Sequence, residues 1–121
     1  MEEKFAFKNY SFENLEVWKI GMKIVSEVYR ITNEFPKEEK FALADQLKRA
    51  ATSIVLNIAE GSGQPTPKGF RIYLHRAKSS VLECVACTKI ALQEDFIKEK
   101  AADLVFGLFQ EEYFKIIALE K

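Results

Sequence analysis

Residues 46–61 read QLKRAATSIVLNIAEG, and the reading of this stretch decides the fold. Placed on a helix at about 100° per residue, Leu43, Leu47, Ala50, Ala51, Ile54, Val55 and Ile58 form one broad apolar face. Gln46, Arg49, Ser53, Asn57 and Glu60 run along its border, three or four residues apart, so they are neighbours on one ridge. Phe41, Leu56 and Ala59 lie to the other side of the core face. A helix that only covers a core carries loose Lys and Glu outside. This ridge carries short hydrogen-bonding groups in line, the pattern of a specified polar contact within the fold or between copies.

Outward from this stretch the helix extends back to about Lys37. Pro36 stands near its start, and Glu38 and Glu39 suit the positive end of the helix dipole. Gly61 suits a left-handed cap at its end. The link GSGQPT is short, so the next helix should return antiparallel. It does not match a phosphate-binding GxxxxGK[ST] loop.

That third helix starts with Thr66 as N-cap and Pro67 at the first position, and runs to about Glu94. Phe70, Leu74, Ala77, Val81, Cys84, Thr88 and Leu92 face the core. The opposite side holds Ile72, Ser79, Ala86 and Ile90, with Glu83 among them. An acid in such a seam wants a cation: Arg49 is the candidate, the alternative being an exposed, unpaired Glu83. Lys68, Arg71, His75 and Lys78 make a basic stripe near the helix start, where cations oppose the dipole. A nucleic-acid phosphate, carboxylates from another helix or copy, or plain solvent would offset them.

Before the central stretch, a pattern from about Asn14 to Phe35 reads as the first helix, with Ser11 or Asn14 as cap and Pro36 ending it. Val17, Gly21, Ile24, Val28, Ile31 and Phe35 form one stripe; Leu15, Trp18, Met22, Val25 and Tyr29 form an adjacent one. Gly21 allows close backbone approach. Residues 1–13 are set apart as an N-terminal arm from the bundle domain of residues 14–121. The arm's Phe5, Phe7, Tyr10 and Phe12 either dock on the body or reach a neighbouring copy. The fourth helix, about Lys98 to Leu119, is apolar around most of its circumference through Leu104, Val105, Phe106, Leu108, Phe109, Tyr113, Phe114, Ile116 and Ile117. Such a helix is buried on more than one side. The expected architecture is therefore all-α, an antiparallel up-down-up-down four-helix bundle.

Composition bounds the function. The 121 residues fit one domain. Eighteen basic and eighteen acidic residues cancel, so there is no bulk charge to drive nonspecific nucleic-acid binding. No stretch approaches the roughly 18 apolar residues of a membrane span, and the N-terminus lacks a signal-peptide pattern, which makes the cytoplasm the expected location. Cys84 and Cys87 form a C-x-x-C in mid-helix with one histidine in the whole chain, so buried free thiols are expected over a metal or redox site. No cofactor fingerprint or nucleophile elbow is present, and no enzymatic activity is expected.

The segments FENLEVWKIGMKI (12–24) and NEFPKEEK to CTKIAL (33–92) resemble the four-helix-bundle family of proteins encoded by bacterial 23S ribosomal RNA intervening sequences. The resemblance covers roughly residues 11–97. Its most specific part is the central stretch with Arg49, Ser53, Asn57 and Glu60, joined by the FP-x-E entry at Phe35–Glu38 and SSVLE at 79–83. It implies an antiparallel bundle, assembly as a homopentameric ring, and no firmly established activity. The same fold includes the accessory protein of diversity-generating retroelements, which binds a reverse transcriptase and nucleic acid through a basic surface; the present chain departs from it in being neutral.

Two functions follow as expectations. The first is a non-enzymatic oligomeric scaffold or adaptor, in which Gln46, Arg49, Ser53, Asn57, Glu60 and Glu83 set helix register or subunit packing. The alternative is an RNA-binding accessory protein that uses Lys68, Arg71, His75 and Lys78. The partner in the first case is the chain itself; in the second it is RNA or another protein.

Overall fold

The computed structural model describes residues 11–121. Four helices follow a short 3-10 turn at Ser11–Asn14: α1, Glu16–Thr32; α2, Leu43–Ser62; α3, Pro67–Gln93; and α4, Glu99–Glu120. Each packs on two neighbours, with α1 closing the ring onto α4, which makes an all-α four-helix bundle. The α2–α3 interface is the most extensive and the α1–α4 interface the least. The arm residues Phe5, Phe7 and Tyr10 lie outside the described residues.

The core is the set of faces that the 3.6-residue period predicts. Val17, Ile24, Val28 and Ile31 of α1 meet Leu47, Ala50, Ala51, Ile54 and Ile58 of α2. Leu74, Ala77, Val81 and Cys84 of α3, and Val105, Phe109 and Ile116 of α4, complete it. Burying a Val, Leu, Ile or Phe side chain is worth about 1.5–3 kcal/mol, so these stripes, rather than helix propensity, hold the bundle together.

The helix ends differ from the sequence expectation in four places, the first being that α1 ends at Thr32 and not near Phe35. Neither Ser11 nor Asn14 caps α1; both belong to the 3-10 turn, and Leu15 takes the N-cap place without a side-chain bond. The second helix starts later than expected, because Lys37–Glu39 form a 3-10 turn before α2 begins at Leu43. Gly61 is not a left-handed cap. It is buried inside α2, the cap residue is Gly63 at φ −89°, and none of the glycines has positive φ among the described residues. Glycine is needed at 61 for space: a Cβ there would stand 2.8 Å from Cβ of Tyr73 and 3.0 Å from Cδ1 of Phe70.

At the start of α3, Thr66 accepts a hydrogen bond from the Gly69 amide at 3.0 Å, and Pro67 opens the helix, both as expected. Its other end closes through Asp95, at φ 60°, with the Phe96 amide bonded to the Ala91 carbonyl at 2.8 Å and the Asp95 amide to Leu92 at 3.2 Å. This is a Schellman closure with aspartate in the left-handed position. It turns Phe96 against Phe35, ring centroids 5.8 Å apart, and so ties the α3–α4 turn to the chain beyond α1.

Two glycine substitutions separate space from propensity. Gly61→Ala should lower stability by about 1–3 kcal/mol through overpacking. Gly107→Ala, where an added Cβ meets nothing within 4 Å, should raise it by about 0.5–1 kcal/mol. Urea unfolding of the two variants beside the parent checks both signs.

Candidate functional site

The polar ridge of α2 lies along the seam with α3. Gln46 Nε2 donates to Glu83 Oε2 at 3.3 Å across the seam. Two turns on, Ser80 Oγ of α3 donates to Ser53 Oγ at 2.9 Å, and Ser53 also accepts from Asn57 Nδ2 at 3.0 Å. Asn57 further donates to the Ser53 carbonyl at 2.8 Å. Ser80 is buried, and Ser53 and Asn57 are half-buried. Hydrogen bonds of this kind contribute about 0.5–1.5 kcal/mol each when made and cost more when broken. They join α2 to α3 at two places along the seam.

Arg49 and Glu83 do not pair with each other. Arg49 Nε holds Asp45 Oδ2 at 2.9 Å, one turn back on its own helix, and the Arg49 side chain is 79% exposed. An i,i+4 pair so exposed adds only a few tenths of a kcal/mol. Glu83 is exposed and takes its hydrogen bond from Gln46 instead. Glu60, at the far end of the ridge, is exposed. Beside the near end stands Phe41, 86% exposed, at the rim of a cleft that it shares with Leu43, Asp45, Gln46, Arg49 and Glu83.

The basic stripe divides. Lys78 is drawn away from it: Nζ binds Glu120 Oε1 of α4 at 2.8 Å, with both side chains largely buried, and lies 6.0 Å from the Tyr113 ring centroid. Lys68, Arg71 and His75 are exposed and line one shallow depression with Ile72 and Arg76. Among the described residues none of these four basic groups has a carboxylate within ion-pairing distance. Arg76 stacks on Tyr73, its guanidinium 4.8 Å from the ring centroid.

Both α3 and α4 leave large apolar side chains exposed. Ile72, Leu82 and Ile90 of α3, with Leu104 and Phe114 of α4, are all about half exposed. Between the helices runs a groove lined by Leu82, Val85, Lys89, Phe106, Tyr113 and Phe114. Lys89 covers part of it, with its ammonium 5.3 Å from the Phe106 ring centroid. Among the described residues no helix is long and apolar enough to cross a membrane.

The two thiols are free and buried. Burial, with Cys87 and Glu83 nearby, holds Cys84 far above the ordinary thiol range; burial and then Glu83 raise Cys87. No group of three or more His, Cys, Asp or Glu able to hold a metal occurs among the described residues.

One residue escaped the sequence reading. Glu112 of α4 has no exposed surface, and among the described residues neither carboxylate oxygen has a hydrogen-bond partner. It sits on the buried stripe Val105, Phe109, Glu112, Ile116. The 4-3-4 spacing places it inside, and that spacing was the available signal. Desolvation first, then the neighbouring charge of Glu111, push its pKa from 4.5 up to about 8.

Residues 13–117 match the family model described as 23S rRNA-intervening sequence protein. The fold is similar to the crystal structure of a protein of unknown function from the S23 ribosomal protein family of Bacteroides thetaiotaomicron. The TM-score is 0.80 at 19% identity, over 87% of this chain and 98% of that one. No curated protein matches the sequence.

The Glu112 shift has a definite sign. Between 4.5 and about 8 the folded chain keeps a proton that the unfolded chain has released. Stability therefore falls with rising pH across that window, by up to about 1.4 kcal/mol per pH unit from this group, and levels off above it. Glu112→Leu should remove this slope and raise stability at pH 8 by about 1–3 kcal/mol. Urea unfolding at several pH values, taken as the difference between variant and parent, isolates the effect from other carboxylates.

Proposed function

The chain belongs to the 23S rRNA-intervening sequence protein family, a membership from which we propose that it works as a self-associating, non-enzymatic scaffold whose copies meet through the outer face of α3 and α4. The observation that carries this reading is the groove between α3 and α4, where the half-exposed Leu82 and Phe114 stand beside Val85, Phe106 and Tyr113. Apolar surface gathered in this way favours burial against another protein surface. A net charge of zero supports the same reading, since copies do not repel one another in bulk. A groove on one face and an exposed ring such as Phe41 elsewhere suit a head-to-tail contact, which closes into a ring when the rotation per copy allows it. The homopentamer implied by the family resemblance is one such ring. In this scaffold the Gln46–Glu83 and Ser53–Ser80 contacts serve the subunit from within, holding α3 in the register that presents the groove.

Sedimentation velocity at micromolar concentration tests the proposal. The parent should run as a multimer. Leu82→Asp combined with Phe114→Asp, which places two charges at the centre of the contact, should weaken association by about 100-fold or more and give a folded monomer. A parent that sediments as a monomer overturns it.

A second reading, an RNA-binding accessory role, is favoured by one observation: the cluster of Lys68, Arg71, His75 and Arg76 on α3, without an ion pair among the described residues. A ring would repeat this cluster once per copy and multiply weak contacts. About three phosphate contacts per copy would weaken RNA binding about 10- to 40-fold between about 50 and about 200 mM salt. Lys68→Ala with Arg71→Ala should flatten that dependence. No binding at the lower salt excludes this reading and leaves the scaffold.

A further inference from the structure

The Glu112 carboxyl stands where three helices meet. A Cβ placed on Gly21 of α1 would lie 3.0 Å from Glu112 Oε2, 2.6 Å from Val55 Cγ1 and 3.6 Å from Ile54 Cγ2 of α2. The acid from α4 thus points at the one place on α1 that has no side chain, between two apolar residues of α2. We propose that Glu112 is a proton-operated latch: the α1–α4 seam closes over the neutral acid, and loss of its proton opens that seam.

The geometry makes the two protonation states unequal. The neutral acid leaves a modest polar group unsatisfied. The anion has two charged oxygens and no donor among the described residues, and the amides at the level of Gly21 and Ile54 are committed to helix bonds within α1 and α2. Relief must come from water, and water reaches this junction only if helices part. The α1–α4 interface is the least extensive of the four, so it is the one that yields. At Gly21 it has no side chain to fill a gap, and the opened seam presents Val17, Ile20 and Ile24. The raised pKa of about 8 places the change near neutral pH.

Among the described residues no neighbouring charge takes over this role. On α1, Glu16, Lys19 and Lys23 are exposed, and Glu16 pairs with Lys115 of α4 at 3.2 Å. On α2 the residues at this level are apolar, and Arg49 is occupied by Asp45. On α3, Lys78 is held by Glu120, and the Cys84 and Cys87 thiols are raised by burial. On α4 itself, Glu111 adds negative charge beside Glu112 and works against ionisation.

The chain carries its own reporter. Trp18, the single tryptophan, lies one turn before Gly21 on α1, packs against the core and meets Phe12 at 4.6 Å between ring centroids. In the 121-residue chain, Trp18 fluorescence and the 13C shift of the Glu112 carboxyl are followed from pH 5.5 to 9.5, within the folded range set by far-UV circular dichroism. The expected result is a single-proton step in both signals with a shared midpoint near 8, absent from fluorescence in Glu112→Gln. Amide exchange in α1 should speed up by about tenfold or more across the same midpoint, while that of Leu74–Val81 in α3 keeps its ordinary pH dependence. A carboxyl that titrates below 6, a fluorescence signal flat across the range, or the same fluorescence step in Glu112→Gln overturns the latch. If Glu112→Gln does not fold, Glu112→Leu takes its place, and agreement or disagreement of the two parent midpoints decides the matter without either variant.

Discussion

The bundle depends on how closely α1 approaches α2 at Gly21. A methyl group there would come within 2.6 Å of Val55 Cγ1, a separation that packed carbon atoms do not reach. Because that position is bare, Ile24 and Val28 seat fully in the core and the ring of four helices closes without a gap. The same closeness shuts Glu112 away from water. A tight junction and an orphaned acid are two results of one geometric choice, and they act in opposite directions on stability.

The α2–α3 pair is organised differently. Here the interface is broad, and a short polar line runs along its edge. Ser53, Asn57 and Ser80 form one hydrogen-bonded cluster, and Gln46 with Glu83 forms another two turns away. Ionic contacts hold the periphery: Lys78 with Glu120 joins α3 to the last turn of α4, and Lys115 with Glu16 joins α4 to the first turn of α1. The first of these is shielded and the second largely exposed, so salt weakens the two unequally.

Much of this was legible from residue spacing. The apolar faces of all four helices follow from the 3.6 period, and Thr66-Pro67 marks the start of α3 at the right residue. The alignment of Gln46, Ser53 and Asn57 on one ridge pointed to hydrogen bonding, which the α2–α3 seam supplies. Partner identity was not legible. Arg49 chose Asp45 over Glu83 because a residue one turn away on the same helix is always in reach, whereas a cross-helix pair depends on side-chain direction that spacing does not encode. Gly61 was misread because glycine serves both turns and close contacts, and only the position of Phe70 and Tyr73 tells which. Glu112 was passed over for a related reason: a lone acid on an apolar helix is ordinarily a surface residue, and its depth emerges once α1 and α2 are placed against it.

The buried Cys84 and Cys87 carry a further consequence. They occupy one turn of α3 with their sulfurs facing inward, each still a thiol. Alkylating agents and dissolved oxygen meet the fully buried Cys84 only when the helices around it part, so the rate at which it is modified is a clock for that opening. The chain thus keeps its most nucleophilic atoms under the same lid as its hydrocarbon interior, and redox chemistry begins where folding ends.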